Sequence, residues 1–498
     1  MQDILKNKKH LVQYDKHHFS FFIFVIILFS GLYPQWSTSI ETPLEVSPVG
    51  TVIRGCSDGI GGAYVSWSHC CDHPHRYLQR VDRFGNIVWE NPIFVGGEGD
   101  LQEVHAYMIE DGSSNTIIGL LDLFEITFWW PFWEYDSKTI IQKITPEGTK
   151  LWGENGTRVL NTTMDYSIEG MVKDGQGGAI VLLELSEIPE GYFAADSSTV
   201  AIQRISSDGG RLWGSLGVQL AYLDRYIGVM IIHDSNGGAF VRYGLDYDNF
   251  VYVRLNGNGE LLWEIHYQGS WWVEKMDPTL SGGLYLSGID DSLRLNYISP
   301  EGELSWGNDE LVLAEVVSPI SQDPMTIVDP DDNFIIGWST LINEFDHCII
   351  QNYGSNGSPI WEFPTIISDF PSNSRIRNID LAVDDTYTAM FTDDRIDPGG
   401  WHSSQIYTQK LNMNGQKLWG EDGLQVYTSY SGESSYSTDL NGGGIYFFPD
   451  GNWGVNTHLI NRNGEFGGVI DVPGDLNADT NLDILDIVRM VTIIMETG

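Results

Sequence analysis

One spacing recurs along the chain and constrains its fold more than any other feature: an apolar residue, a glycine four positions later and a tryptophan four positions after that. It appears in VDRFGNIVW (Val81, Gly85, Trp89), ITPEGTKLW (Ile144, Gly148, Trp152), ISSDGGRLW (Ile205, Gly209, Trp213) and LNGNGELLW (Leu255, Gly259, Trp263). It continues in ISPEGELSW (Ile298, Gly302, Trp306), YGSNGSPIW (Tyr353, Gly357, Trp361) and LNMNGQKLW (Leu411, Gly415, Trp419). An eighth copy, INRNGEFGG, keeps Ile460 and Gly464 but has Gly468 where the tryptophan belongs. A polar, glycine-bearing turn between two short apolar runs is a β-hairpin signal.

A second hairpin signal precedes most copies. Acid- and glycine-rich turns open apolar strands at Asp58 (DGIGGAYVSW), Asp174 (DGQGGAIVLL), Asp234 (DSNGGAFVRY) and Asn441 (NGGGIYFF), with weaker forms at Ser281, Asp329 and Asp384. Two hairpins make four strands per unit, and successive motif glycines lie 43 to 63 residues apart. That period fits a propeller blade. The expectation is an all-β fold, an eight-bladed β-propeller over 40–471, with seven blades as the alternative because the last copy is worn. The recurring tryptophan is expected to wedge each blade against its neighbour.

These Gly-x-x-x-Trp turns resemble the tryptophan-docking motifs of eight-bladed quinoprotein dehydrogenases and of related non-catalytic outer-membrane assembly propellers. The Asp-Gly-x-Gly-Gly turns, followed by Gln-x-Ile/Val and then Gly-x-x-x-Trp, are similar to repeat proteins secreted by bacteria that carry C-terminal docking or sorting modules. Both resemblances imply fold more than function.

The N-terminus reads as an export signal, assigned to 1–39. Lys6, Lys8, Lys9 and Lys16 precede the apolar run Phe21 to Phe29, shorter than the roughly 20 residues a bilayer requires. Ser37-Thr38-Ser39 offers small residues for cleavage, and an uncleaved anchor is the alternative. The body is expected to be secreted or at the cell surface, with no membrane span in the mature chain. With 68 acidic and 27 basic residues the net charge is −41, which repels nucleic acid and anionic lipid.

If strands run A to D outward from the axis, the tight turns share one face, and the longer B–C and D–A connections share the other. Function is expected on the second face. There, Phe124 to Ser137 reads as a B–C loop crowded with Phe128, Trp129, Trp130, Phe132, Trp133 and Tyr135 around Pro131, flanked by Glu134 and Asp136. Rings that cannot all be buried form a platform for a glycan or a protein; Trp271, Trp272 and Trp401 are placed on or near that face. The segment WSHCCDHPHRY gathers His69, Cys70, Cys71, His73 and His75. It has three readings: a solvent-facing loop, a soft-metal site, or a vicinal Cys70–Cys71 disulfide. Cys56 lies too far along its own strand to reach either cysteine. Quinoprotein alcohol dehydrogenases also use a vicinal disulfide, but no set of quinone–calcium ligands and no haem motif accompanies it here. The acidic pairs Asp393-Asp394 and Glu134/Asp136 have the composition of a glycosidase pair, which 68 acids also generate by chance.

After Val472-Pro473-Gly474, the stretch DLNADTNLDILD places Asp475, Asn477, Asp479, Asn481, Asp483 and Asp486 at positions 1, 3, 5, 7, 9 and 12 of an EF-hand-type calcium loop. An apolar helix, Ile484 to Met495, is expected behind it, and a helix apolar on every side requires cover. The stretch 472–498 resembles one repeat of a type I dockerin, with Thr480 where a turn glycine is usual and with one repeat in place of two. The resemblance implies calcium as cofactor and a cohesin-like receptor or a second dockerin half as partner. The reading is thus a non-catalytic binding or scaffold propeller on a docking tail. The alternative is a polysaccharide hydrolase or lyase brought in by that tail, or, further off, a quinoprotein dehydrogenase.

Overall fold

The computed structural model describes residues 36–68, 75–95, 106–129, 132–162, 165–186, 198–223, 228–268, 273, 275–289, 292–306, 310–315, 324–395, 405–427, 434–450 and 454–467, with backbone alone at 106, 121–129, 132–138 and 165. Within them the chain forms eight antiparallel four-stranded sheets and no helix. The innermost strands are Thr51–Ser57, Ala106–Glu110, Asp165–Lys173, Val229–His233, Lys275–Pro278, Met325–Val328, Ser374–Ala382 and Ser435–Thr438, each beside the next and the last beside the first. The architecture is an eight-bladed β-propeller.

The inner turns explain their own sequence. Asp58 accepts hydrogen bonds from the N–H groups of Ile60 (2.9 Å) and Gly62 (2.8 Å), closing the turn with a side chain. Gly61 has φ 97°, and a Cβ on Gly62 would lie 2.4 Å from the Val81 carbonyl oxygen. Strands following such turns are buried on both faces, as in Ala63–Ser68 and Ala239–Gly244, because neighbouring blades cover them. Eight apolar clusters result, one at each of the eight junctions between blades.

The tryptophans do more than fill those junctions. Each of Trp89, Trp152, Trp213, Trp263 and Trp361 donates its indole N–H to the next blade, at the carbonyl two residues before that blade's motif glycine: Pro146 (3.0 Å), Ser207 (3.1 Å), Gly257 (3.3 Å), Pro300 (3.1 Å) and Met413 (2.8 Å). The motif glycine lies under the incoming ring. Gly209 has φ 87°, and a Cβ there would meet Trp152 at 2.9 Å.

The worn eighth copy is completed from the other end of the chain. Leu44–Ser47 pairs with Val455–Ile460 as the outermost strand of blade 8. Trp36, 4% exposed, donates its indole N–H to the Arg83 carbonyl of blade 1 at 3.0 Å, two residues before Gly85. It is the eighth docking tryptophan, so the ring has eight blades rather than seven. Among the described residues the packed propeller reaches back to Trp36, inside the span assigned to the export signal.

A buried glutamine before the end of strand C steers the chain into the outer strand. Gln79 accepts from the Trp89 N–H (3.2 Å) and donates to the Trp89 carbonyl (2.9 Å); Gln142, Gln203 and Gln409 also bracket their tryptophans. In blade 8 the equivalent residue is His458, whose Nε2 lies 3.3 Å from the Ile40 carbonyl of the N-terminal segment.

Candidate functional site

The two faces of the disc differ in what is left for a ligand. On the turn face, the inner-turn aspartates pair with a cation on strand C of the same blade: Asp58–Arg80 (2.7 Å), Asp111–Lys143 (2.6 Å), Asp174–Arg204 (2.9 Å), Asp234–Arg254 (3.3 Å) and Asp384–Lys410 (2.6 Å). Four of these cations reach on to the following blade, donating to Gly177 (2.7 Å), Gly257 (2.6 Å), Pro300 (3.2 Å) and Gly442 (2.6 Å) carbonyls. Such charge-assisted contacts satisfy buried groups that would otherwise be costly. They are architecture. Asp439 of blade 8 has Leu459 at the position where those five blades carry the cation, and burial holds its carboxyl above the usual range.

On the opposite face, the second blade departs from the sequence reading. Phe124 to Ser137 is not a loop: strands Thr116–Trp129 and Phe132–Ile144 stay paired to the tip. The register sets Trp129 opposite Phe132, Phe128 opposite Trp133 and Glu125 opposite Tyr135, with a bulge between Glu125 and Thr127. Second strands elsewhere hold 6 to 9 residues against 14 here. The excess extends the ribbon by roughly 17–27 Å at about 3.4 Å per residue. Aromatic and β-branched residues stabilise a pleated ribbon, which overrides the loop signal that Pro131 gives in the sequence. Glu134 and Asp136 lie on this ribbon opposite Thr127 and Phe124. Trp130, Trp271, Trp272 and Trp401 lie outside the described residues.

His69, Cys70, Cys71 and His73 also lie outside them. His75, at the edge, meets the Phe94 ring at 5.2 Å in an edge-on contact. Cys56 and Cys348 are free thiols, Cys56 opposite Tyr64. Burial pushes each thiol up to about 12, far from the thiolate a nucleophile or soft-metal ligand needs. The loop Asp475, Asn477, Asp479, Asn481, Asp483 and Asp486 is outside the described residues, among which no group of three or more His, Cys, Asp or Glu side chains is placed to hold a metal.

The pair Asp393-Asp394 is used up by structure. Asp393 accepts from Ser372 Oγ (2.7 Å) and from Arg395 Nη2 (2.8 Å), while Asp394 accepts from the backbone and side-chain N–H groups of Asn373, each at 2.8 Å. The two carboxylates pin the corner where blade 7 begins.

Sequence reading missed the inner strands as a source of functional groups. Burial, reinforced by Glu169 and opposed by Arg54, raises the Tyr107 hydroxyl above its ordinary range, so three neighbouring blades bring these groups within electrostatic reach. Burial likewise lifts Asp277 and Asp380 to about 6; Thr326 donates to Asp277 at 2.6 Å and partly offsets the shift. No periodicity marks these residues.

No protein-family model matches the sequence, and no curated protein matches it. Solved structures do resemble it. An ulvan lyase, a polysaccharide lyase bound to -[GlcA(1-4)Rha3S]-, is 12% identical over 87% of this chain and 96% of its own, with a TM-score of 0.39. A protein of unknown function from Bacteroides caccae is 11% identical over 62% of this chain and 93% of its own, TM-score 0.32. Prolyl oligopeptidase B from Galerina marginata is 8% identical over 84% of this chain and 56% of its own, TM-score 0.46. At such identities no activity carries over.

Proposed function

We propose that the chain is an exported, non-catalytic binding or scaffold propeller. Its ligand, a glycan or a protein, binds on the face that carries the aromatic ribbon, and a calcium-dependent, dockerin-like tail attaches the disc to a cohesin-like receptor or second dockerin half. The observation that supports this reading is the unequal commitment of the two faces. Aspartates, cations and indoles of the turn face are consumed in joining blades, whereas the opposite face extends the paired ribbon ending at Trp129 and Phe132. Of the two acidic pairs with the composition of a glycosidase pair, Asp393-Asp394 is bound into a structural corner.

The test has two arms. A glycan array probed with the purified chain, and with Trp129→Ala/Trp133→Ala, is expected to give ligands that the variant loses without change in thermal midpoint. Appearance of shortened or unsaturated products from any bound polysaccharide would instead establish the hydrolase or lyase reading. For the tail, calcium titration by calorimetry is expected to show one site that disappears in Asp475→Ala/Asp479→Ala; equal heats in both proteins would refute the loop.

A further inference from the structure

The outer rim of the disc is a ring of sheet edges, and an edge strand offers unpaired N–H and C=O groups to any chain that can add to it. Seven blades blunt that edge. Ile93–Phe94, Thr157–Arg158 and Thr365–Ile366 are only two residues long. Val218–Leu223, Leu311–Glu315, Leu424–Tyr427 and Leu44–Ser47 are each broken by a bulge, which leaves at most three consecutive residues in register with the strand inside. A bulge twists an edge away from a partner strand. Blade 4 differs. Its outer strand, Leu261–Gln268, is the longest of the eight among the described residues, and its bulge falls at Leu262, so Trp263 to Gln268 run opposite Arg254 to Asn249 without interruption.

No other protective device replaces the missing bulge. The strand LLWEIHYQ holds no proline and no lysine, and Leu261 and Leu262 at its start are 53% and 51% exposed. Trp263, Ile265 and Tyr267 pack against blade 5, while Glu264 and His266 are exposed on the other face, with His266 Nε2 2.8 Å from Glu264 Oε1. The pattern is symmetric about Ile265. An antiparallel partner strand of the same sequence centred there sets Ile265 opposite Ile265, and it sets Glu264 opposite His266 and Trp263 opposite Tyr267 twice each. Opposite charges and paired aromatics are the favourable cross-strand neighbours. A second copy of this chain therefore matches the edge in charge as well as in main chain. The net charge of −41 acts against association, but charges more than about 8 Å apart are largely screened at physiological ionic strength, which leaves the strand's own charges to decide the contact.

We propose that the outer edge of blade 4 is a homodimer interface, in which Trp263 to Tyr267 of two copies pair antiparallel about a two-fold at Ile265 and join two four-stranded blades into one eight-stranded sheet. The contact is isologous, each copy giving and receiving the same strand. Main-chain hydrogen bonds hold it, as in strand addition generally. The charged residues fix its register. A slip of one residue turns every side chain to the wrong face, and a slip of two sets Glu264 opposite Glu264 or His266 opposite His266. The surface is separate from the ligand face, and the pairing stands whether or not a glycan binds there.

Sedimentation equilibrium of the full chain tests the pairing. Wild type is expected to associate reversibly to a dimer. His266→Glu makes the edge acidic at both positions, and Glu264→Lys/His266→Lys makes it basic at both; each is expected to self-associate at least tenfold more weakly, because like charges then stand opposite. Mixed, the two variants are expected to form a heterodimer at least as tight as wild type, since every opposed pair is again of unlike charge. Glu154→Lys, at an exposed side chain on blade 2, should leave association within twofold of wild type. The Glu264 and His266 side chains are 39% and 66% exposed, so these changes spare the fold. Should the basic-edge variant fail to fold, hydrogen exchange of wild type decides, with amides between Leu261 and Gln268 expected to slow as protein concentration rises. A wild type that stays monomeric across the concentration series, undiminished association of the acidic-edge variant, an equal loss in Glu154→Lys, no recovery on mixing two folded variants, or slowing confined to other strands overturns the proposal.

Discussion

Trp36→Ala should open the ring at its seam. The indole is 4% exposed and packs with Val46, Ile53, Val65, Trp67, Val455 and Leu459, residues contributed by blade 1, blade 8 and the N-terminal strand. Truncating a buried tryptophan typically costs about 3–5 kcal/mol. The hydrogen bond to the Arg83 carbonyl is part of that cost, with a net worth of about 1 kcal/mol. Because whole domains are stable by about 5–15 kcal/mol, the loss is a large fraction of the total. Trp36→Phe keeps most of the packing and loses the donor, so about 1–2 kcal/mol is expected. Urea unfolding followed by far-ultraviolet circular dichroism gives the free energies. Hydrogen exchange should show the added opening concentrated in Leu44–Ser47 and Val455–Ile460, the paired strands of the seam. A chain starting at Ile40 should match the alanine variant or be weaker, while one starting at Trp36 should match wild type. If Trp36→Ala shifts the midpoint no more than Leu212→Ala, an exposed position, closure does not depend on this residue.

His458→Gln should remove an acid-sensitive component of stability. Burial holds the folded imidazole down at about 4, so its contribution is present above the ordinary value near 6.5 and is lost as pH falls toward 4, up to about 3 kcal/mol; glutamine serves in the equivalent place in other blades, and the variant's thermal midpoint should vary less over that window. Asp277→Asn has the opposite sign. Its folded carboxyl is raised to about 6, so the protonated form stabilises the fold at low pH and that contribution disappears as pH rises through 6; the variant should exceed wild type by about 3 kcal/mol at pH 8, with the gap narrowing below pH 5 in paired melts. Gly209→Ala meets both a left-handed φ of 87° and the Trp152 ring at 2.9 Å, and should cost about 2 kcal/mol or more in urea unfolding, against under 1 kcal/mol for Gly210→Ala, where the nearest atom is Ser206 Oγ at 3.1 Å.

Much of the fold is legible because each blade repeats the same physical solution. Glycine at positions such as 148 and 209 lies under an indole, glutamine at 79 and 142 brackets the chain, and both recur at fixed spacing from the tryptophan. Trp36 escaped because its partner turn belongs to a different unit and no spacing connects it to the worn copy at Ile460. The sequence reads Phe124 to Ser137 as a loop because Pro131 and crowded aromatics break the usual alternation, yet the pairing runs through to Trp129 and Phe132. Inner-strand bulges are invisible in sequence for a stricter reason: an inserted Glu169 or Arg377 is defined only by the partner strand it fails to match. Charge pairs such as Asp174–Arg204 could be suspected from the Gln-Arg and Gln-Lys dipeptides, but their reach into the following blade required the closed ring.

The tryptophan contacts all run one way, each blade offering an indole to its successor. A donor at one end and an unfilled acceptor turn at the other make complementary ends, and complementary ends close only if the same chain supplies both. When the segment from Trp36 to Ser47 leaves blade 8, the Arg83 carbonyl and the strand Val455–Ile460 become a vacant socket that the same segment of another molecule fits equally well. The seam that completes the monomer is therefore also its natural route to a swapped dimer.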